Sequence, residues 1–369
     1  MASGSWPGPG LFWSRDPDIP WAQAQRMVTF GELRLQVQNL ARTLRSQGIG
    51  SGDSVALQGV ASFTQLWSIF ALWSLGAQVQ ILDSRLTRAE RTTLLKLSRP
   101  QFVLSFGRGT LTPPGGFIDE CEVLFQRLAG GIPGQTNHCL IQYSWDAAGA
   151  PKAIGRTARS LTAEIGRWRN LGEMPMPGEN VAVLEPIASP LAFVGGLLCA
   201  MDADACVVFP TTQETEAVVH AAAQADVIIG TPVHFAKLTE TQENVRLPRL
   251  RLAVSGGDVL PGQVADRFFQ RYGVRIGQVY GRPETGIIAA NLSGGTDTRN
   301  IGLPLRKIRI RIAGGVLEVR VPRSSYPYEA RRRAGAWIST GDLVSRNAQT
   351  GALRLRGRVG HGRTQPSGG

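Results

Sequence analysis

The chain has 369 residues, 43% hydrophobic and 18% charged, a balance that excludes a disordered or fibrous protein and allows two or three subdomains around large cores. Its first ten residues, MASGSWPGPG, lack the basic start and apolar run of a secretory leader, and the longest apolar stretch, Leu191 to Phe209, is broken by Asp202 and Asp204. No membrane span is expected, and the cytoplasm is the expected location.

The net charge of +12 rests almost wholly on arginine, because Lys96, Lys152, Lys237 and Lys307 are the only lysines. Such an excess reads as attraction to a polyanion or as the codon bias of a GC-rich genome. The arginines are spread along the chain and not interleaved with exposed aromatics, so nucleic acid is not the expected partner. Cys121, Cys139, Cys199 and Cys206 form no CxxC pair and the four histidines are scattered, which argues against zinc or a disulfide. The apolar settings of Cys199 and Cys206 suggest buried thiols.

Met1 to Gln25, rich in Gly, Pro and Trp, is expected to be an irregular lead-in. Thr29-Phe30-Gly31-Glu32 fits a capping box, and Leu33, Val37, Leu40 and Leu44 follow at helical spacing up to Gly48. A buried strand at Ser54 to Leu57, a helix through Phe63, Leu66, Trp67, Phe70 and Trp73, a strand at Gln78 to Leu82, a helix near Arg88 to Leu97 and a strand at Phe102 to Ser105 come next. Strands alternating with helices predict a parallel sheet covered on both faces. Breaks at Pro113 to Gly116 and Gly130 to Gly134 bracket a predicted short helix. A second alternation runs from Val181: strand, apolar helix, strand Ala205 to Phe209, helix Glu214 to Gln224 and strand Val227 to Ile229. After Gly302-Leu303-Pro304 the period changes to two: Ile308, Ile310 and Ile312 alternate with arginines up to Gly314-Gly315, and Val316 to Val321 returns as a strand, a hairpin pattern.

The richest stretch is Leu250 to Gly286, LRLAVSGGDVLPGQVADRFFQRYGVRIGQVYGRPETG. A strand ends in Ser255-Gly256-Gly257, a Pro-started helix follows, and a second strand ends in Tyr280-Gly281 with Glu284 three residues on. Glycine turns at strand ends let backbone approach a planar or phosphorylated ligand. Further on comes Trp337-Ile338-Ser339-Thr340-Gly341-Asp342-Leu343.

These two motifs, in this order, resemble the signatures of the adenylate-forming superfamily, which includes acyl- and aryl-CoA synthetases, peptide-synthetase adenylation domains and luciferases. The opening segment GVASFTQLWSIFALWSLGAQVQILDSRLT is similar to the start of acyl-CoA synthetases. The resemblance implies an α/β fold: two parallel αβ sheet subdomains forming a large AMP-binding domain over residues 1–300, and a small β-barrel-like subdomain over 301–356. Residues 357–369 would be a truncated hinge, with the mobile C-terminal domain and its adenylation lysine absent.

By the same resemblance Glu284 is the acid that binds Mg²⁺ near the phosphates of ATP. Tyr280 packs on adenine, and Gly256, Gly257 and Gly281 line the adenine and acyl side. Asp342 accepts hydrogen bonds from the ribose hydroxyls, and Arg358, in Leu355-Arg356-Gly357-Arg358, contacts the same ribose. Gly149 and Lys152 belong to the phosphate loop. The acyl pocket falls near Ser189, where the family has a gating histidine, with Phe193, Gly195, Gly196 and Gly256 as further candidates. An ordinary buried helix is the competing reading for Phe193, Gly195 and Gly196.

The phosphate loop departs from the family's Tyr-Thr-Ser-Gly-Thr-Thr-Gly-x-Pro-Lys-Gly run. Here it reads Tyr143-Ser144-Trp145-Asp146-Ala147-Ala148-Gly149-Ala150-Pro151-Lys152-Ala153. Two alanines replace threonine hydroxyls, Asp146 replaces a glycine and adds negative charge, and Pro283 stands where the family has another phosphate-touching threonine. Three functions stay open: an acyl- or aryl-activating ligase using ATP and Mg²⁺ with a coenzyme A or phosphopantetheine thiol, an ATP-independent acyltransferase from acyl-CoA to an acyl carrier protein, and a nucleotide-binding partner subunit.

Overall fold

The computed structural model describes residues 12–107, 115–145, 149–241, 245–322, 324–329 and 335–359. Two large sheets organise the chain. The first has six strands in the order Pro151–Arg156, Leu140–Trp145, Gln78–Ile81, Ser54–Gly59, Phe102–Phe106 and Val123–Arg127. Its four inner strands are parallel and its two edges antiparallel. The second has thirteen strands. Its parallel part runs from Pro20–Gln23 through Cys206–Val208, Asn180–Val183, Val227–Gly230 and Leu252–Ser255 to Ile276–Arg282. Beyond that strand the ladder becomes antiparallel and continues through Gly286–Asn291, Asn300–Pro304, Leu353–Arg358 and Trp337–Arg346 to the hairpin of Val316–Arg320 and Arg309–Ala313.

The central strands are short runs of Val, Ile, Leu and Ala buried on both faces, as helices on each side of a parallel sheet require. Between the sheets lies the helix Phe63–Ser74, buried from Phe63 to Trp73. Its Trp73 meets Phe193 edge-on at 5.8 Å and its Phe70 meets Trp21 at 6.4 Å. One aromatic core thus joins the two halves. Among the described residues no helix is long and apolar enough to cross a membrane.

Most expected elements are present, and three details differ. The lead-in holds the strand Pro20–Gln23, parallel to Cys206–Val208, because fully buried Trp21 and Phe12 tie it to the core; residues 1–11 lie outside the described set. The short helix expected between the glycine-rich breaks is the strand Val123–Arg127, antiparallel to Phe102–Phe106, with Phe125 against Phe102 at 5.5 Å. The capping box at Thr29 is half made. Thr29 accepts from the Glu32 N–H, but the Glu32 carboxylate pairs with Arg26 at 2.6 Å. The reciprocal box forms instead at Thr87 and Glu90, opening the helix Arg88–Ser98. The Ile308–Val321 hairpin turns through Gly314 and Gly315, both at positive φ as a two-residue turn of this type demands.

Candidate active site

The residues expected to hold the nucleoside gather where the parallel ladder turns antiparallel. Ser255, the last residue of its strand, pairs with Gln278 two residues before Tyr280. After it the chain passes through Gly256 and Gly257, the latter at φ +87°. A Cβ on Gly256 would lie 2.8 Å from Val279 and 3.2 Å from Leu191, so the turn is pressed against both that strand and the helix Leu191–Leu198. A Cβ on Gly281 would meet the Gly286 carbonyl at 2.5 Å. The hairpin's own backbone therefore demands a glycine there, whatever ligand is bound.

Tyr280 donates its hydroxyl to Asp342 Oδ2 at 2.7 Å. Asp342 is opposite Arg358 in the strand register, and Arg358 Nε lies 3.6 Å from Oδ1. The Asp342 N–H donates to Thr340 Oγ1 at 3.1 Å, which fixes the turn that aims the carboxylate. Burial pushes the Tyr280 phenol well above its usual pKa, and the Asp342 charge pushes it further, so it stays a donor. Tyr280, Asp342 and Arg358 thus meet. Each Asp342 oxygen has one neighbour here and a further lone pair, enough to accept from a vicinal diol.

The hairpin expected from the sequence to meet phosphate pairs Lys152 with Ser144 and Pro151 with Trp145. Gly149 is at φ +76° with open space around it, and Lys152 is partly exposed, without an ion pair among the described residues. Asp146, Ala147 and Ala148 lie outside the described residues.

Glu284 sits at the tip between Ile276–Arg282 and Gly286–Asn291 and is buried. Its Oε1 accepts from the Tyr326 hydroxyl at 3.1 Å, and Oε2 is buried without a partner. Ser325 joins the two hairpins: its hydroxyl donates to the Glu284 carbonyl at 2.7 Å, and its carbonyl accepts from the Gly155 N–H at 2.7 Å. An orphaned buried carboxylate oxygen fits a hard cation such as Mg²⁺, which takes one or two carboxylates and keeps its waters.

On the acyl side, the Ser189 N–H donates to the Pro186 carbonyl at 2.9 Å and the Ser189 carbonyl starts the next helix by accepting from Phe193. Gln142 ties this turn to the phosphate hairpin by donating to the Ala188 carbonyl at 2.9 Å. Gly256 is brought against Leu191, two residues past Ser189. Phe193 is fully buried against Trp73, while Gly195 and Gly196 let Trp168 and Val183 approach, since a Cβ at either would lie within 2.6 Å of those side chains.

Several residues were invisible in the sequence. Ser325 and Tyr326 hold Glu284 from 41 and 42 positions away, and no local spacing announces that. Glu164 pairs with Arg156 at 2.6 Å in the core and accepts from the Ile287 N–H at 3.1 Å, bracing the strand beyond Glu284. At the ends of the parallel strands, His234 is held by Thr231 and Gln213, 3.8 Å from Glu185. Burial lowers His234 to about 4. The only cue was a histidine three residues after Thr231, at the third position of a helix.

A parallel-to-antiparallel ladder carrying a Tyr–Asp–Arg cluster beside a glycine-rich hairpin is the framework of enzymes that bind AMP. The chain belongs to the AMP-binding enzyme family, whose model matches residues 12–323. It is acyl- or aryl-CoA ligase-like at low identity. It is 26% identical over 385 residues to an indoleacetate–CoA ligase of Aromatoleum aromaticum, covering 90% of this chain and 74% of the relative. It is also 26% identical to a long-chain-fatty-acid–CoA ligase of Thermus thermophilus, covering 88% and 67%. Among solved structures, an anthranilate CoA ligase in complex with anthranoyl-AMP superposes with a TM-score of 0.78 at 17% identity, over 93% of this chain and 74% of that one. ATP-bound MatB from Rhodopseudomonas palustris gives 0.77 at 17%, over 94% and 77%.

Proposed function

We propose that this protein handles activated carboxylic acids, as acyl-adenylates or acyl-thioesters, with ATP-driven adenylation weakened at the phosphate loop. One observation carries the reading: the Tyr280–Asp342–Arg358 cluster is assembled with a short hydrogen bond in register, whereas the loop sequence carries Asp146, Ala147 and Ala148. Asp342 and Arg358 would hold the ribose, Tyr280 the adenine, and Glu284 a Mg²⁺ that would stabilise charge on the phosphates. Lys152 and the Gly149 turn would face the phosphate oxygens. Ser189 and Gly256 would border the acyl group, with the buried Phe193 behind them. A coenzyme A or phosphopantetheine thiol would take the acyl group. Residues 1–300 would form the nucleotide and acyl domain, 301–356 the small β subdomain and 357–369 the hinge.

The weakening follows from charge. Asp146 would repel each facing phosphate charge by ~1 kcal/mol at about 4 Å in high dielectric. Each threonine hydroxyl absent from the loop would forgo a hydrogen bond to a charged group worth roughly 1.5–3 kcal/mol. Together these would slow ATP use by several orders of magnitude.

A second reading, acyl transfer from acyl-CoA to a carrier protein without ATP, is favoured by the same asymmetry, because coenzyme A also carries an adenine and a ribose. The test is a panel of aryl and fatty acids assayed for pyrophosphate release, beside acyl exchange from thioesters without ATP. Slow pyrophosphate release supports the first reading, and ATP-independent exchange supports the second. Pyrophosphate release at the rate of an ordinary ligase refutes the weakened loop, and nucleotide binding with neither reaction refutes both.

A further inference from the structure

A cavity of about 1010 Å³ opens between the helix Ala158–Arg169, the turn at Arg306 and Lys307, and the strand Val316–Arg320. Of the described residues placed in the nucleotide site, only Glu284 borders it, and Glu284 is the only acid along its wall among the described residues. Its rim carries Arg159, Arg306, Lys307 and Arg309, all exposed and none in an ion pair among the described residues.

The floor is basic as well. Arg156, 3% exposed, gives one terminal nitrogen to Glu164 Oε2 at 2.6 Å and to the Ser160 carbonyl at 3.2 Å. Its other terminal nitrogen, Nη1, is buried with no partner. Arg167 gives Nη2 to the Thr285 carbonyl at 3.1 Å, and its Nε is likewise buried and unpartnered. Both nitrogens are shielded from water, so these guanidinium groups act on the cavity through their charge. Lys307 adds a separate sign: it sits at φ +67°, a conformation that disfavours any residue with a Cβ. A strained lysine held at the lip of a cavity is the kind of local cost found at binding sites.

We infer that this cavity is a second binding site, for a small ligand carrying two or more phosphate groups. The rim cations, unpaired among the described residues, select for multiple negative charge, and guanidinium forks match phosphate oxygens. The concave shape favours a small molecule over the acidic face of a protein, which would meet the exposed rim alone. The ligand would lie along the helix face where Ala163 and Gly166 leave room.

The test is titration calorimetry of the whole chain with inorganic tripolyphosphate, free of magnesium, at two salt concentrations. The expected result is a saturable site that weakens as salt rises. It should weaken by about tenfold or more in Arg306→Ser/Arg309→Ser, since each lost phosphate contact is worth about a factor of ten. Lys152→Ala should retain it, and so should Arg88→Ser/Arg91→Ser, which removes equal charge elsewhere. Absence of saturation at millimolar tripolyphosphate overturns the inference. So does equal affinity in the rim variant, or an equal loss in the charge-matched control. Loss in Lys152→Ala alone would assign the phosphates to the Ser144–Lys152 hairpin instead, and would leave this cavity without a role. Arg306 and Arg309 are exposed, and substituting them leaves the Arg156–Glu164 pair intact.

Discussion

Replacing Asp342 by alanine tests the nucleoside half of the site most directly. The carboxylate accepts from Tyr280 at 2.7 Å and lies 3.6 Å from an Arg358 that is half exposed. Removing it takes the main acceptor from a half-buried tyrosine hydroxyl, at a cost of about 1 kcal/mol of stability. The Arg358 pair adds only ~0–1 kcal/mol because water screens it. Ligand binding should suffer more. Two ribose hydroxyls donating to a carboxylate are worth roughly 1.5–3 kcal/mol each, so AMP affinity should fall by about 10²–10⁴-fold. Equilibrium dialysis with AMP reads the affinity, and urea unfolding reads the stability separately. Tyr280→Phe refines the test: it removes the donor and keeps the ring, so AMP affinity should change little while stability drops. A folded Asp342→Ala protein that binds AMP within about threefold of the parent would refute the ribose assignment.

Three further outcomes are expected. Glu164→Ala strands the Arg156 guanidinium in the core and removes the acceptor of the Ile287 N–H; urea unfolding should show a loss of about 3–5 kcal/mol, and a loss under ~1 kcal/mol would contradict the buried pair. His234 is held near pKa 4 against an ordinary 6.5, so the unfolded chain binds the extra proton between those values. Stability should be flat above pH 6.5 and fall as pH drops towards about 4, by up to ~1.4 kcal/mol per unit, a slope that His234→Gln should abolish. Asp146→Gly combined with Ala147→Thr and Ala148→Thr should tighten ATP binding by at least about tenfold while leaving AMP affinity unchanged; equal ATP affinity would remove the charge argument.

Helices with a clear period, such as Phe30–Ser46, and apolar runs closed by glycine, such as Leu252–Ser255, were legible because burial imposes their spacing. Val123–Arg127 was not, since five residues of mixed character carry no period and only the edge of Phe102–Phe106 makes them a strand. The capture of Pro20–Gln23 by the thirteen-stranded sheet was equally hidden, because it rests on pairing with residues nearly two hundred positions away. At the site, Tyr280, Asp342 and Arg358 were found through motif order. Their mutual hydrogen bond, and the hold of Tyr326 on Glu284, are tertiary contacts that no one-dimensional pattern encodes.

That distinction bears on which surviving residues count as evidence for catalysis. Tyr280 and Asp342 bond to each other across the large sheet, Gly281 is required by its hairpin backbone, and the Glu284 carbonyl and carboxylate hold Ser325 and Tyr326. Each has a structural reason to persist even in a protein that never binds nucleotide. Lys152 differs: it faces Ser144 in its hairpin, partly exposed and without an ion pair among the described residues, whereas Gly149 at φ +76° has a backbone reason to be glycine. Folding would lose little if Lys152 changed. On the proposed function, Lys152 beside Asp146, Ala147 and Ala148 would meet an anionic group with less charge than a triphosphate. An acyl-adenylate, with a single phosphate, satisfies that condition. If so, Lys152→Ala should weaken binding of a non-hydrolysable acyl-adenylate analogue by about tenfold while leaving the urea midpoint unmoved. An unchanged affinity would reduce Lys152 to a remnant of the loop.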